Sequence, residues 1–312
     1  MTSPQCPCPI CAANNTHQHL TTVVDFEYGV VPSPLLVVCR CLDCGSDFLA
    51  PRPTTAEIAS YYPDHYHAYH DDHSGLARAL VALRSRSRAR FYRKLLGDAA
   101  GRLFDVGAGD CRHFDALKPF CSLEFCGVEI NAAIAAKARS RGYDVQTGTL
   151  ETMDIDRHIG RYDIVSMNHV IEHVLEPRVM LERACMLLKP GGFVLGQLPA
   201  RDCWEEALAG RYWAGYHYPR HLQAFSYGGL RQLLADKGFV NIAVRSAPHI
   251  QAALSVQNRL IGSGWHPPMQ FGKTPIYSWL ILAVLPFETL AWLAGKGGIM
   301  NFIARKPRED SA

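Results

Sequence analysis

The stretch Leu103-Phe104-Asp105-Val106-Gly107-Ala108-Gly109-Asp110, with Gly127-Val128-Glu129 after it, constrains this chain more than any other feature. An apolar run ends in Gly-x-Gly, a helix-like segment follows, and a second apolar run ends in an acid about 20 residues on. Such glycines let the backbone approach a ligand without a Cβ clash. Glu129 is placed to accept hydrogen bonds from two ribose hydroxyls. A dinucleotide site would need a third glycine three positions after Gly109, to admit a pyrophosphate at the helix N-terminus. His113 and Phe114 crowd that region, after Cys111 and Arg112. The loop therefore suits an adenosyl group without a pyrophosphate.

The segments around the loop alternate between strand and helix. Residues 103–106 form a short apolar run, expected to be a central parallel strand. Asp105 within it needs hydrogen-bond donors, since an unpaired buried carboxylate is costly, and the loop amides are the natural ones. Residues 125–130 read as a second strand, 132–141 as a helix closed by Gly142, and 143–146 as a third strand. Residues 163–167 make a fourth strand, with Asn168 and His169 at its carboxyl end, where open α/β sheets bind ligands. Residues 192–199 make a fifth. His169 and His173 are four apart and would share a face if helical. The order His-Val-Ile-Glu-His is not the His-Glu-x-x-His of a metalloprotease, so that reading fails.

In this order the blocks resemble the class I S-adenosylmethionine (SAM) methyltransferases. The match runs from about residue 78 to the C-terminus. Residues 101–109 resemble the family's first motif and Gly127-Val128-Glu129-Ile130 its ribose acid. Thr147-Gly148-Thr149-Leu150-Glu151 resembles the segment beside the adenine, residues 162–174 the fourth strand and a helix after it, and Leu187-Leu188-Lys189-Pro190-Gly191-Gly192 the turn before the fifth strand. The resemblance implies a doubly wound α/β fold with a seven-stranded, mostly parallel sheet. It assigns cofactor binding to Asp105, Gly107, Ala108, Gly109, Glu129, Ile130, Leu150, Glu151 and Asn168. Asp105 would support the methionine end, Leu150 the adenine face and Glu151 the adenine amino group. Glu172-His173 becomes a structural or substrate-side pair. Relatives acting on quinone or catechol hydroxyls often carry an acid where His169 stands; the departure speaks against a metal-assisted mechanism and makes His169 a substrate contact.

The N-terminal region carries separate chemistry. Eleven cysteines, an odd number, argue against a disulfide framework. Cys6-Pro7-Cys8-Pro9-Ile10-Cys11 and Cys39-Arg40-Cys41-Leu42-Asp43-Cys44-Gly45 face each other across roughly 30 residues. Two Cys-x-x-Cys pairs, Cys8 with Cys11 and Cys41 with Cys44, would close a tetrahedron around a structural Zn²⁺. Gly45 permits the left-handed residue of the second turn. Residues 21–24 and 35–38 read as short strands of a zinc ribbon, and Cys6 and Cys39 are surplus. Some bacterial methyltransferases have such a module, then an Ala-Pro-Arg-Pro segment and a tyrosine-rich stretch. Ala50-Pro51-Arg52-Pro53 and residues 61–69 resemble that order.

Three units are expected: a zinc-ribbon-like module over 1–53, a helical and aromatic linker over 54–97, and a methyltransferase domain over 98–312. Thr54 with Glu57 marks a capped helix start. Tyr62, Tyr66 and Tyr69 are candidates for a lid over the cofactor. The arginine-rich stretch 78–93 reads as an amphipathic helix with a solvated face. After the fifth strand, aromatic residues and histidines crowd the substrate side up to Tyr218-Pro219-Arg220-His221-Leu222. His217 or His221 would serve as general base if near neutral in pKa. An apolar insertion near 273–295 is too short for a confident membrane span. It predicts a buried hairpin or a homodimer interface, with membrane-surface contact through 276–293 as the other reading. Residues 298–307 read as a last antiparallel strand.

Net charge is +3, too mild to call for a nucleic-acid partner, and the start shows no basic region followed by an apolar run. The expectation is a cytoplasmic SAM-dependent methyltransferase acting on a small-molecule or carrier-linked acceptor, first of all a sugar hydroxyl in natural-product or cell-surface glycan biosynthesis. A nicotinamide-dependent oxidoreductase would share the loop and the acid but not the missing glycine. A non-catalytic methyltransferase-like binding protein would use the ribbon as its interaction surface, and a nucleic-acid methyltransferase would use the arginine helix.

Overall fold

Four short apolar runs build the centre of the molecule. Leu103, Phe104, Val106, Val128, Ile164, Val165, Met167, Val194 and Leu198 are all at most 3% exposed, as strands covered on both faces require. The computed structural model describes residues 6–62, 75–97, 100–270 and 272–308. The chain opens with β1 (Thr16–Leu20), β2 (Val37–Cys41) and β3 (Asp47–Ala50), then α1 (Thr55–Ser60) and α2 (Gly75–Leu96). The central part runs β4 (Gly101–Val106), α3 (Arg112–Asp115), β5 (Leu123–Glu129), α4 (Ala132–Ser140), β6 (Asp144–Thr147), β7 (Tyr162–Asn168), α5 (Pro177–Leu187) and β8 (Leu188–Pro199). It continues through α6 (Trp204–Ala209), β9 (Gln223–Ala224), α7 (Tyr227–Asp236), β10 (Val240–Ala247), α8 (Ala252–Gly262), α9 (Tyr277–Leu293) and β11 (Ile299–Arg305).

The main sheet has seven strands in the order β10-β11-β8-β7-β4-β5-β6. Strands β6, β5, β4, β7 and β8 are parallel; β11 enters antiparallel between β8 and β10. This is the doubly wound α/β sheet expected, with 298–307 as its antiparallel closing strand. After β4 the chain builds outward through β5 and β6, then returns to add β7 on the other side. The carboxyl ends of β4 and β7 therefore flank the switch point where such sheets bind ligands. Strands β4 and β5 lie close because position 127 is glycine. A Cβ there would meet the Asp105 carbonyl oxygen at 2.5 Å.

The cysteine module is joined to the rest by backbone. Its sheet runs β1-β2-β3-β9, so the fourth strand comes from the segment before α7. The module's strands lie at 16–20 and 37–41, not at 21–24 and 35–38. Pairing of Thr16 with Cys41 fixes that register, and residues 21–36 become an irregular excursion carrying Asp25 and Glu27. A core cluster of Val23, Leu36, Val38, Leu49, Trp213, Tyr216, Tyr218 and Leu222 seals the module to the segment 213–222. The Thr54–Glu57 capping box forms as expected. Tyr66 and Tyr69 lie outside the described residues.

Two local differences matter later. Residues 171–173 form a turn, and the helix starts only at Pro177, so His169 and His173 share no helix face. The apolar insertion is a helix packed on α8, but of α9 only Glu288 and Ala291 are buried. Trp279, Leu282, Leu290 and Leu293 are exposed, because α9 is apolar around its circumference and α8 covers one side. Glu288 accepts the Ala252 N–H at 2.7 Å at the start of α8. No helix among the described residues is long and apolar enough to cross a membrane.

Candidate active site at the carboxyl edge of the sheet

The cofactor side is built from neighbours in sequence. Gly107 and Gly109 both have positive φ, at 75° and 57°, as the Gly-x-Gly pattern requires. The Gly107 and Ala108 amides donate to the Val128 carbonyl at 2.9 and 3.1 Å, tying the loop to β5. Glu129 completes the tie. Its Oε2 accepts the Gly109 N–H at 3.0 Å and its Oε1 the Asn131 N–H at 2.9 Å. Each oxygen keeps a lone pair, so the carboxylate orients the loop and still has capacity for a diol.

The neighbouring predicted residues divide. Ile130 is 67% exposed and offers open apolar surface beside Glu129. Leu150 is fully buried in the main core and Ala108 in the second, so neither has free surface. Glu151 Oε2 is buried with no hydrogen-bond partner among the described residues, and burial pushes its carboxyl pKa up. An amino group arriving there would satisfy that oxygen. Asp105 takes its donors from outside the loop, contrary to expectation: the Ser166 hydroxyl on β7, and His113 Nε2 at 3.1 Å. The loop amides are spent on Val128 and Glu129. Asn168 ends β7 beside Gln197 of β8.

The acceptor side is assembled from distant segments. His169 follows β7 with a positive φ of 53°. Its Nδ1 lies 3.4 Å from Glu172 Oε1 and its Nε2 3.3 Å from Gln197 Oε1. Gln197 gives its own N–H₂ to Asn301, so an oxygen faces the ring. Burial alone would lower the His169 pKa; the Glu172 carboxylate outweighs it, and the net shift is upward. His173 Nδ1 faces the Arg220 carbonyl at 3.1 Å and the Tyr62 hydroxyl at 3.0 Å. Burial pushes its pKa down to about 4. His221 donates from Nδ1 to the Gly215 carbonyl at 2.8 Å, its ring centre 4.5 Å from that of His173. Burial and the neighbouring histidines hold it well below the usual range.

His217 does not have the free nitrogen a base needs. Its Nδ1–H donates to Glu27 Oε1 at 2.8 Å, and Arg220 Nε–H donates to its Nε2 at 2.9 Å. Arg220, fully buried, makes a bidentate pair with Asp25 at 2.8 and 2.9 Å. Burial would raise the Asp25 pKa; the Arg220 guanidinium and the amides of Val30 and Tyr28 hold it down instead. Asp25 and Glu27 both come from the N-terminal excursion, so the cysteine module supplies the carboxylates that hold Arg220 and His217. Arg52 adds a third tie, donating to the Leu175 and Leu222 carbonyls at 2.5 and 3.2 Å. Nothing in the local pattern around Asp25 or Glu27 marks these roles.

The four predicted cysteines do converge. Cys8 and Cys44 Sγ lie 3.7 Å apart, Cys11 and Cys41 Sγ 3.5 Å, and all four within 4.8 Å of one another. Sulfurs about 2.3 Å from a tetrahedral Zn²⁺ sit about 3.8 Å apart, so the set fits the ion, whereas disulfide sulfurs lie about 2.05 Å apart. Gly45 takes the left-handed conformation, φ 73°, that the second turn needs. Cys39 is fully buried and stands outside the group, as does Cys6.

A seven-stranded sheet of this order, with a glycine loop tied to an acid at the switch point, is the architecture of the SAM-dependent methyltransferases. A family model of methyltransferase domains matches residues 78–244, and the chain belongs to that family. An uncharacterized protein of Mycobacterium tuberculosis is 30% identical over 216 residues, spanning 66% of this chain and 70% of the relative. The ubiquinone biosynthesis O-methyltransferase of Nitrobacter winogradskyi is 30% identical over 118 residues, 35% of this chain and 42% of that protein. A solved structure from Galdieria sulphuraria, provisionally named a sarcosine dimethylglycine methyltransferase, shares the fold. Its TM-score is 0.50 at 16% identity, covering 72% of this chain and 86% of that one.

Proposed function

We propose that this chain transfers the methyl group of SAM to a small or carrier-linked acceptor held against the His169–Val174 turn and the Tyr212–Leu222 segment. The observation that carries the reading is the Glu129 carboxylate locked to the Gly109 amide, with Ile130 open beside it and Glu151 Oε2 unpaired, inside a segment matched to methyltransferase domains. Glu129 would take the ribose hydroxyls, Glu151 the adenine amino group and the Gly107–Gly109 loop the methionine end. The sulfonium is already activated, so the protein's task is to align donor, methyl and nucleophile. The acceptor proton leaves toward the Glu172–His173–His221 side. His217 serves as a strut for Arg220 and Glu27.

A sugar hydroxyl is the first acceptor class we propose, as part of natural-product or surface-glycan assembly. The cysteine set holds a structural Zn²⁺ in this reading. Four thiolates leave no open position for water, and the small sheet around them gains folding energy from the ion. The test is release of S-adenosylhomocysteine over a panel that begins with sugar and sugar-nucleotide hydroxyls and extends to amines and carbon acids. Turnover with one class supports the proposal. SAM binding without turnover on any class would favour a binding protein, and binding of NAD in its place would remove SAM as the ligand.

A further inference from the structure

Glu172 stands out among the described side chains, since both its carboxylate oxygens are buried without a well-formed hydrogen bond. It is 1% exposed, and its Oε1 meets the His169 ring only at 3.4 Å. A buried carboxylate partnered so weakly bears most of its desolvation penalty. Three imidazoles surround it, those of His169, His173 and His221. One ligand atom each from Glu172, His173 and His221 lies within 4.8 Å of the others. Both histidines point Nδ1 at a backbone carbonyl, Arg220 O for His173 and Gly215 O for His221. A carbonyl requires a donor, so the proton sits on Nδ1 and the lone pair is on Nε2. Pinning the far nitrogen to a carbonyl is how proteins orient metal-ligating histidines.

We propose that Glu172, His173 and His221 form a second metal site, distinct from the four cysteines, that takes a divalent first-row cation. Two neutral imidazoles and one carboxylate suit Zn²⁺, Mn²⁺ or Fe²⁺, in contrast to the thiolate set, which selects zinc. Metal–ligand bonds near 2.1 Å put tetrahedral ligand atoms about 3.4 Å apart, so a set spread over as much as 4.8 Å would contract around the ion. Three protein ligands leave coordination positions open, and these would take water or an acceptor oxygen. A hydroxyl bound there would lose its proton to solvent more readily than a free one, because the cation stabilises the alkoxide. The His169 ring stands 3.4 Å from Glu172 Oε1, so the ion is best reached by Oε2.

Binding of the ion needs only these side chains; its use in methyl transfer rests on the proposed function, and the test separates the two. Zinc-loaded, full-length protein is titrated with Co²⁺ and followed by visible absorption. The expected result is about one further equivalent with weak ligand-field bands and no thiolate charge-transfer band, as N/O ligation requires. Glu172→Gln and His221→Gln should each lose that equivalent while keeping zinc at the cysteines and their melting transition. If Glu172→Gln fails to fold, His221→Gln carries the test alone. No further equivalent in the wild type, a thiolate band on Co²⁺ uptake, or uptake undiminished in both variants would overturn the proposal.

Discussion

The two sides of the sheet's carboxyl edge are built on different principles. The proposed cofactor side is local: Gly107, Gly109, Glu129 and Asn131 join through their backbone amides. The acceptor side is remote: Glu27 reaches His217 across 190 residues and Asp25 reaches Arg220 across 195. A local site can be folded by a βαβ unit alone. A remote one exists only when the cysteine module is seated, since β3 pairs with β9 and the module's excursion carries both acids. One side is intrinsic to the doubly wound sheet; the other is conditional on an N-terminal appendage.

The largest effect should come from removing the appendage's support. Double substitution Cys8→Ala and Cys44→Ala should abolish zinc content and strip the module's folding energy, on the order of 10 kcal/mol for a structural zinc site. Soluble yield and limited proteolysis report it. A variant that stays folded with normal zinc would erase the contrast between the two sides.

Next in size is the buried clamp. Asp25→Ala should cost about 3–5 kcal/mol in urea unfolding, because it strands the Arg220 charge in the interior. The same pair sets a pH dependence. The folded pKa of Asp25 lies below its unfolded value, so its contribution is complete above about pH 4 and is lost as pH falls through the folded pKa. The stability gap between wild type and Asp25→Asn should thus be flat from neutral to mildly acidic pH and narrow below about pH 4. A gap that widens on acidification would contradict the ion pair.

The smaller effect belongs to the local side. Glu129→Ala should weaken SAM affinity at least tenfold, with charged hydrogen bonds contributing about 1.5–3 kcal/mol. It should leave the Asp25–Arg220 clamp and zinc content untouched. Isothermal titration checks this, and unchanged affinity would remove Glu129 from the cofactor site.

The same division explains what was legible in the sequence. The glycine turn, the acid that ends β5, the five parallel strands and the antiparallel closure follow from short-range pattern, and they stand where the pattern placed them. The paired cysteines were legible because metal knuckles impose a spacing, and their sulfurs do converge. Roles set by long-range partners were not. His217 looked like a base until Glu27 and Arg220 occupied both nitrogens. Asp105 was read as a client of the loop amides, but Ser166 lies beside it only because β7 pairs with β4. The turn at 171–173 replaced a helix because Pro177 sets the helix start four residues later, a signal present in the sequence and easily missed.

The central claim is that the glycine-hinged loop and Glu129 grip an adenosine that carries no pyrophosphate. Calorimetric titration of the zinc-loaded protein with S-adenosylhomocysteine and, in parallel, with NAD tests it most directly. The account predicts saturable binding of S-adenosylhomocysteine and none of NAD. Saturable NAD binding with no response to S-adenosylhomocysteine at millimolar concentration would contradict it.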